Sequence, residues 1–489
     1  MKKYDVFVVG ASTTGCWFAY QMAKQGFKVL VIEKNEPDNV SREYDVFHMG
    51  KADMEKFDLV IPPEGDPLRE FCFGHSTMIS PYGNYPKACA EAPVIGLHKH
   101  DYIMAMAERA RDAGAEIIYG ASFTDFIYDN NKRIIGAKYK TNDGEKEAYA
   151  RIVADCSGIP AVARTKLPDA SVVGNFKLTN KDILYVVLYY AEYLKKDFNP
   201  RDLDGFFMQY KSWSAPSDNP NGAILGIGAF YGYDYGEEIF KEDFMKNVKF
   251  PEYTVERVEK GMTPYHTSIY SLVDDGFIAL GDAACHTKPT CGEGCTSSLV
   301  AGEIAVEVIS NLLKSDRFLT KERMWSINKR YMTAQGKDFD SMRPLLMGII
   351  SMSYNEAEFL FKNDIMFSEK ILGGMDTGLA LDTNDIAGIV KGIATGIAKK
   401  HLKPATIAKL VRGLMYSTQV GTLYDNYPTT YEEFSAWKVK ADKLWEEIGS
   451  VAENTCDPEI LKKLGYESKP PVQPVVCSTP IRGDYWLSP

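Results

Sequence analysis

Residues 277–302 read FIALGDAACHTKPTCGEGCTSSLVAG, and they contain more chemically informative positions than any other stretch of the chain. The apolar run at 277–280 predicts a buried strand. Gly281 and Asp282 follow at its carboxyl end, which is where open α/β sheets place their ligands. We therefore expect the Asp282 carboxylate to accept a hydrogen bond from a sugar-like hydroxyl, although a capping aspartate at a strand-turn-helix corner would look the same.

The second half of the stretch predicts a close backbone approach to a ligand. After Pro289, the turn Gly292, Glu293 and Gly294 lets amide groups approach a flat ring or an anion. Residues 296–312 then predict an apolar helix, whose N-terminus favours negative charge. Together with Asp282, this pattern is typical of a flavin site.

The N-terminus carries a second nucleotide signature. Residues 4–9 predict a strand, residues 16–25 a helix and residues 28–33 a second strand, so the unit is βαβ. The turn between the first strand and the helix is rich in glycine and small residues. In this context the unit predicts dinucleotide binding, with an ordinary βαβ unit as the alternative.

Each residue of this turn has a predicted task. Gly10 makes the tight turn, Gly15 allows close packing of helix and strand, and Ser12 replaces the middle glycine with another small residue. Thr14 lies with them at the helix N-terminus, which faces a pyrophosphate. Glu33 ends the second strand at the distance where an acidic residue binds ribose hydroxyls.

The segment after the second strand is predicted to return toward the cofactor. Lys34, Arg42 and Gly50 are further candidates for cofactor contacts, and a short helix is expected at 51–57. Arg42 would meet a phosphate, with a solvated arginine as the alternative. A second Asp-x-x-Gly pattern, from Asp155 to Gly158, ends a later strand and is expected beside the first turn.

These elements predict an α/β fold, α+β overall. A Rossmann-type FAD-binding domain is interrupted by a β-sheet substrate domain and followed by a helical C-terminal region. Strands are expected at 183–190, 206–210 and 223–230, turns or points of close approach at 213–216 and 226–228, and single helices at 343–361 and 404–415. The predicted domains are discontinuous: FAD binding at 1–70, 98–165 and 274–335, substrate binding at 71–97 and 166–273, and the helical region at 336–489.

Composition excludes several classes of protein. The net charge of −10 argues against a nucleic-acid surface, which needs clustered Lys and Arg. No run reaches about 18 uninterrupted apolar residues, and the start lacks the pattern of a signal peptide. We expect a cytoplasmic protein without a membrane span, and leave peripheral contact with a membrane open.

The nine cysteines are predicted to be reduced thiols. Cys285, Cys291 and Cys295 match neither a zinc pair nor a ferredoxin spacing, so no metal site is expected. In the C-terminal region only Cys456 and Cys477 occur, which argues against a built-in iron–sulfur centre.

The order of these motifs, with Trp213-Ser-Ala-Pro before Gly226-Ile-Gly, resembles the para-hydroxybenzoate hydroxylase-type flavoproteins and, within them, the geranylgeranyl reductase family. The resemblance covers roughly residues 4–335. It implies bound FAD and hydride transfer from flavin N5 to a C=C bond of an apolar, isoprenoid- or lipid-like substrate. It also implies NAD(P)H or a ferredoxin-like carrier as the electron donor.

Two departures from the family pattern affect the site. The thiol that relatives carry near the flavin is missing at Phe47-His48-Met49-Gly50, and Ala215 stands where a large ring is usual. His48 is therefore a candidate proton donor, because an imidazole titrates near neutral pH. His286 and Tyr85 are its rivals, as is Tyr82, and a solvent-facing loop histidine is the alternative for His48.

Two other functions remain open from the sequence. The same fold supports an aromatic hydroxylase or a halogenase that uses O2, although the Trp-x-Trp-x-Ile-Pro motif of halogenases is absent. The third hypothesis is a flavoprotein electron carrier or redox sensor whose helical C-terminal region docks a protein partner.

Overall fold

The computed structural model describes residues 3–42, 44–89, 93–195, 202–374, 383–449, 458–465 and 472–475. Cys456 and Cys477, on which the iron–sulfur argument rested, lie outside this range. The predicted α/β class with a Rossmann-type domain, a separate sheet and a helical C-terminal region is confirmed. The domain boundaries stay a prediction.

The N-terminal βαβ unit consists of strand Lys3–Val9, helix Thr13–Lys24 and strand Val29–Ile32. The two strands pair in parallel, and their apolar residues are buried on both faces, as continuous apolar runs require. Ser12 caps the helix by accepting a hydrogen bond from the Gly15 amide at 3.2 Å. The cap fixes the point at which the chain turns from strand to helix.

The sheet around this unit has eight strands in the described part of the chain. Its central neighbours pair in parallel and bring strands from distant parts of the sequence side by side. In spatial order the strands are Val273–Asp274, Phe277–Ala279, Gly144–Asp155, Lys3–Val9, Val29–Ile32 and Glu116–Ile118, with Ile134–Thr141 and Ser122–Tyr128 extending from Gly144–Asp155. The strands that end at residues 9, 155 and 279 therefore have their carboxyl ends side by side at one edge of the sheet.

The second sheet has seven described strands and forms one wall of the site. In order they are Tyr253–Pro264, Ile183–Tyr193, Gly222–Ala229, Lys211–Pro216, Leu203–Phe206, Ser76–Ile79 and Pro86–Ala88. The strand expected at 206–210 is wrong, because the strand ends at Phe206 and Phe207 to Tyr210 form the connection to the next strand. Residues 213–216 belong to a strand and form no turn, but the alternative of a close approach is correct, since a Cβ on Gly226 would lie 2.0 Å from the Trp213 ring.

A small third sheet, absent from the sequence prediction, joins the two larger ones. It consists of Val46–Gly50, Val94–His98 and Arg69–Phe73, paired antiparallel. Strand Val46–Gly50 lies in the segment that was expected to return toward the cofactor as a loop. Its residues show no clear alternation of apolar and polar side chains, and His48 is exposed. Pairing with a strand almost fifty residues further on stabilises Val46–Gly50, and this contact cannot be read from a local pattern.

Glu70 in this small sheet is a buried acid and gives a prediction of pH dependence. Burial raises the pKa of Glu70 to about 8 from 4.5, Glu259 raises it further, and Arg257, 3.6 Å away, opposes the shift. The folded chain therefore holds a proton that the unfolded chain releases. Stability should fall as pH rises from 4.5 to about 8 and stay lower above that.

Glu70→Gln is expected to remove this fall in the free energy of unfolding. By the linkage between pKa and stability, the fall is on the order of a few kcal/mol. Urea unfolding of both proteins across this pH range checks the prediction, since the variant should be the more stable one only at alkaline pH. Parallel pH curves for the two proteins would contradict it.

Helices surround the sheets and make up most of the described C-terminal region. They are Thr13–Lys24, Lys51–Lys56, Lys99–Asp112, Tyr233–Ile239, Met245–Asn247, Cys295–Lys314, Lys321–Tyr331, Lys337–Ile349, Tyr354–Lys362, Glu369–Gly374, Thr383–Ala398, Pro404–Asp425, Phe434–Ile448 and Pro458–Lys463. The helix predicted at 343–361 is two helices, separated before a Ser353–Glu356 capping box that starts a new one. The helix expected at 404–415 continues to Asp425.

One described helix, Cys295–Lys314, is long and apolar enough by length and composition to cross a membrane. Just over half of it is buried within the fold. At Gly302 it packs against Trp17, so closely that a Cβ would lie 2.8 Å from the indole ring. This packing is that of a core helix in the nucleotide-binding domain.

Candidate functional site

A single cavity of about 1230 Å³ joins the nucleotide edge of the first sheet to the second sheet and the C-terminal helices. At one end it is lined by three separate pieces of the chain, at residues 9–14, 156–158 and 281–282. The loop 290–295 borders its middle. The three nucleotide signatures predicted from distant parts of the sequence therefore face one space.

The first piece is the glycine turn after strand Lys3–Val9. Gly10 has φ of +100°, and a Cβ there would lie 2.6 Å from the Cys156 carbonyl oxygen. A Cβ on Gly15 would lie 2.0 Å from the Gly10 oxygen. Both positions therefore require glycine, as expected for a turn that brings backbone close to a pyrophosphate. Ser12 and Thr14 line the cavity beside them.

Glu33 braces this turn from the neighbouring strand. Its Oε2 accepts the Ala11 amide at 3.0 Å, and its Oε1 accepts the Asn35 amide at 3.0 Å. Glu33 and Lys34 both line the cavity, as predicted residues of a ribose and phosphate region should. The carboxylate thus positions the glycine turn, and its binding of ribose hydroxyls remains a proposal.

The second piece is the turn from Asp155 to Gly158, where the predicted contact of Asp155 with the cofactor is not seen. The Asp155 carboxylate is fully buried and accepts hydrogen bonds from the Ser157 amide and hydroxyl and from the amides of Ala163 and Arg164. Asp155 does not line the cavity and instead shapes the loop that follows. Gly158, with φ of +77°, does line it.

The third piece places Gly281 and Asp282 against the first. Gly281 has φ of +70°, and a Cβ there would lie 3.2 Å from the Thr14 hydroxyl oxygen. The half-buried Asp282 side chain lines the cavity. Burial raises the pKa of Asp282 to about 6, while Lys99, which also lines the cavity, acts in the opposite direction. An acceptor oxygen is therefore available for a cofactor hydroxyl.

Asp282→Ala is expected to weaken FAD binding about 10- to 100-fold, the range for loss of a hydrogen bond to a charged group. The flavin-to-protein absorbance ratio of the purified variant measures it. Asp282→Asn keeps an acceptor oxygen and should retain more flavin. Full flavin content in the alanine variant would count against this role of Asp282.

The loop between Pro289 and helix Cys295–Lys314 presents backbone amides to the cavity. The Gly292 amide donates to the Lys288 oxygen at 2.8 Å, and the Thr263 hydroxyl donates to the Gly292 oxygen at 3.1 Å. Glu293 and Gly294 both lie at the cavity wall. The Glu293 amide hydrogen-bonds the Cys291 thiol, whereas the Gly294 amide donates to no backbone carbonyl in the described part of the chain. The Gly294 amide and the helix N-terminus can stabilise negative charge on a flat ring.

Besides Gly15 and Asp155, three predicted cofactor residues lie outside the cavity. Arg42 forms ion pairs with Asp45 at 3.8 Å and Asp101 at 3.9 Å. Gly50 precedes helix Lys51–Lys56 as its N-cap, and buried Pro289 gives its carbonyl oxygen to the Tyr265 hydroxyl at 2.9 Å. Each therefore acts in the local structure, and none lines the cavity.

The four predicted catalytic candidates have different environments, and exposed Tyr82 does not line the cavity. His48 is exposed, lines the cavity and meets the Phe73 ring edge-on, with ring centroids 6.1 Å apart. His286 is fully buried against Tyr331, and burial lowers its pKa to about 3, so near neutral pH it is a neutral imidazole and a poor general acid. Tyr85 packs among the apolar residues of the C-terminal helices, away from the cavity.

Lys211 is a site residue that the sequence analysis missed. Its ammonium group donates to the Thr290 carbonyl oxygen, next to the amide loop, and the side chain lines the cavity. Burial lowers the pKa of Lys211 to about 8. The sequence contained a signal for this residue, because Lys211 and Trp213 are two positions apart and would share one face of a strand. The segment was not recognised as a strand.

The thiols near the site do not form a metal centre. Cys291 and Cys295 line the cavity, whereas Cys285 is buried outside it. Burial raises the pKa of Cys295 to about 12, so this thiol stays protonated. Among the described residues no group of three or more His, Cys, Asp or Glu side chains could hold a metal ion.

Comparisons with known proteins agree with this geometry. Residues 8–37 match the model of the NAD(P)-binding Rossmann-like domain. A digeranylgeranylglycerophospholipid reductase of Sulfolobus acidocaldarius is 22% identical over 459 residues, covering 91% of this chain and 98% of the relative.

Solved structures share the fold. A geranylgeranyl bacteriochlorophyll reductase-like protein of Thermoplasma acidophilum superposes with a TM-score of 0.65 at 20% identity, covering 81% of this chain and 96% of its own. A flavin-dependent brominase gives 0.58 at 19% identity, covering 81% of this chain and all of its own. With three predicted nucleotide signatures facing one cavity, the predicted resemblance is confirmed: the chain is similar to the geranylgeranyl reductases, and its fold is that of FAD-dependent oxidoreductases.

Proposed function

We propose that this enzyme reduces a C=C bond of an isoprenoid or isoprenoid lipid. The observation that carries the proposal is the continuity of the cavity: the space that begins at the dinucleotide turn passes the amide loop and ends among apolar side chains of the C-terminal helices. Its volume exceeds the roughly 300–1000 Å³ of common ligand pockets, which suits a cofactor together with a long chain. Bound FAD, once reduced by the electron donor, would supply the hydride.

One face of the second sheet forms a wall for the substrate. Because side chains alternate along a strand, Val186 and Leu188 face the cavity while Val187 and Tyr189 pack into a separate core. On the neighbouring strands Trp213, Ala215 and Ile224 share the cavity face. The indole covers Gly226, where a Cβ would lie 2.0 Å from it.

The opposite wall comes from the helices. It is formed by aliphatic side chains of Lys337–Ile349, Thr383–Ala398 and Pro404–Asp425, together with Met366 and Phe367. Few polar groups occur along this branch, so it matches a hydrocarbon chain and excludes water from the reacting bond. The relative from Sulfolobus is named for a substrate with such chains.

We assign the proton donor to His48. It lies at the cavity wall and is the one of the four predicted candidates that lines this space, and an imidazole can act as a general acid. The Gly294 amide, in the turn from Gly292 to Gly294, would hold the pyrimidine end of the flavin. The electron donor is proposed to be NAD(P)H or a ferredoxin-like carrier.

Lys211 is proposed to favour negative charge beside the amide loop. The Lys211 side chain is a positively charged ammonium below about pH 8 and a neutral amine above it, so activity should fall as pH rises through that value. Lys211→Met is expected to slow substrate reduction about 100-fold at neutral pH, the scale for removing one group that stabilises a developing anion. Pre-steady-state rates across pH measure both effects.

Lys211→Arg is the matched control for this prediction. Arginine keeps its proton at every accessible pH, so the alkaline fall near pH 8 should disappear while the neutral rate is largely kept. If the methionine variant shows the wild-type pH profile, Lys211 has no electrostatic role in the reaction.

Anaerobic incubation of the reduced enzyme with an isoprenoid lipid extract tests the proposed function. Mass spectrometry should show products heavier by two hydrogens for each bond reduced. A hydroxylated or halogenated product that forms only in a parallel incubation with O2 would instead support the monooxygenase hypothesis. Oxidation of the flavin only by a protein acceptor would support the electron-carrier hypothesis.

A further inference from the structure

Helices Thr383–Ala398 and Pro404–Asp425 follow each other in the chain, and both expose large apolar side chains. The exposed fraction is 51% for Ile386 and 61% for Val390 on the first helix. On the second helix, Val411, Leu414 and Met415 are exposed by 51 to 58%. Exposed apolar residues in such a group mark an interaction surface.

The inner faces of the same helices line the apolar end of the cavity. Ile389 and Ile393 do so on the first helix, and Leu410 on the second. Val411 and Leu414 line the cavity and are also more than half exposed. The cavity therefore reaches the protein surface at this apolar face.

The charge of this region opposes that of the whole chain. Residues 386–424 contain six basic residues and no Asp or Glu, in a protein of net charge −10. All six are exposed, and none forms an ion pair with a described carboxylate. They are Lys391, Lys399, Lys400, Lys403, Lys409 and Arg412. A basic surface around apolar side chains is the pattern of peripheral membrane helices.

We infer that this face docks on an anionic phospholipid surface. The apolar side chains enter the boundary between headgroups and acyl chains while the basic residues meet the headgroups. Resting on the proposed function, the substrate chain then passes from the bilayer into the cavity between the two helices without crossing water. A second copy of this chain fits less well, because a symmetric contact would set the basic surfaces against each other.

Vesicle co-sedimentation of the full-length holoenzyme tests the inference. The protein should pellet with vesicles of phosphatidylcholine mixed with phosphatidylglycerol, bind phosphatidylcholine alone much less, and be released by salt. The double variant Val390→Ser/Lys391→Glu should lower the partition coefficient on the anionic vesicles about 30-fold, from a change of two charges near the surface.

The chain provides a matched control in Val439 and Lys440. This pair has the same residue types in the same order, on helix Phe434–Ile448, and both side chains are exposed. Val439→Ser/Lys440→Glu should bind the vesicles as the wild type does. Flavin content and circular dichroism confirm that both variants fold.

Three results would overturn the inference. They are a wild type that does not bind anionic vesicles, an equal loss in both double variants, and a dimer in sedimentation velocity that the Val390→Ser/Lys391→Glu variant alone dissociates. A detergent-dispersed isoprenoid lipid separates the two proposals. Vesicle binding without lipid reduction contradicts the proposed function alone, and reduction of the dispersed lipid without vesicle binding contradicts the docking surface alone.

Discussion

Ala215→Trp is expected to lower kcat/KM for a lipid with long isoprenoid chains at least about 100-fold while FAD stays bound. Ala215 lies on strand Lys211–Pro216, on the face that lines the cavity with Trp213. An indole at this position would fill the space through which the substrate chain passes. Displacing the substrate C=C bond from its position for hydride transfer is enough to lower the rate by about 100-fold.

A short substrate serves as the internal control for this variant. A one-unit isoprenoid that reaches the flavin end without occupying the apolar branch should be reduced at nearly the wild-type rate. Flavin reduction by the electron donor should also be unchanged. Equal activity of wild type and variant on the long-chain lipid would mean that the substrate does not lie along this sheet.

Gly10→Ala is expected to give a protein that purifies with little or no FAD. The backbone at Gly10 has φ of +100°, which costs an L-residue roughly 1–2 kcal/mol. In addition, the new Cβ would lie 2.6 Å from the Cys156 oxygen, so two of the three cofactor-binding segments must separate. Flavin absorbance and isothermal titration with FAD measure the loss.

Gly26→Ala provides the control for backbone strain. Gly26 lies in the same βαβ unit with φ of +87°, but a Cβ there would have no neighbour within 4 Å. The variant should lose a little stability and keep its FAD. If both variants retained FAD equally, the close approach of Gly10 to Cys156 would not matter for binding.

The cofactor half of the site could be predicted from sequence because its signals are local. A strand, a glycine turn and a helix follow each other within residues 4–25, and Asp282 directly follows a strand. Since parallel strands align their carboxyl ends, the meeting of these turns followed from the fold class. Roles that depend on side-chain surroundings did not follow, as the buried carboxylate of Asp155 illustrates.

The substrate half could not be predicted to the same extent, because its contacts are non-local. Strand Ser76–Ile79 pairs with Leu203–Phe206 across more than a hundred residues, and strand Val46–Gly50 depends on Val94–His98. His286 shows the same limit, since its sequence position beside the flavin motif hides its burial against Tyr331. Lys211 faces the site because residues 211–216 form a strand, which the sequence pattern did not predict.

The central claim is that electrons held by the bound flavin pass to a C=C bond in the apolar branch of the cavity. Anaerobic single-turnover mixing of the reduced enzyme with a geranylgeranyl lipid tests it most directly, with flavin absorbance and product mass followed together. We predict flavin oxidation matched by an equal amount of lipid carrying two additional hydrogens. A flavin that stays reduced with saturating lipid, and is oxidised only when O2 is admitted, would contradict the claim.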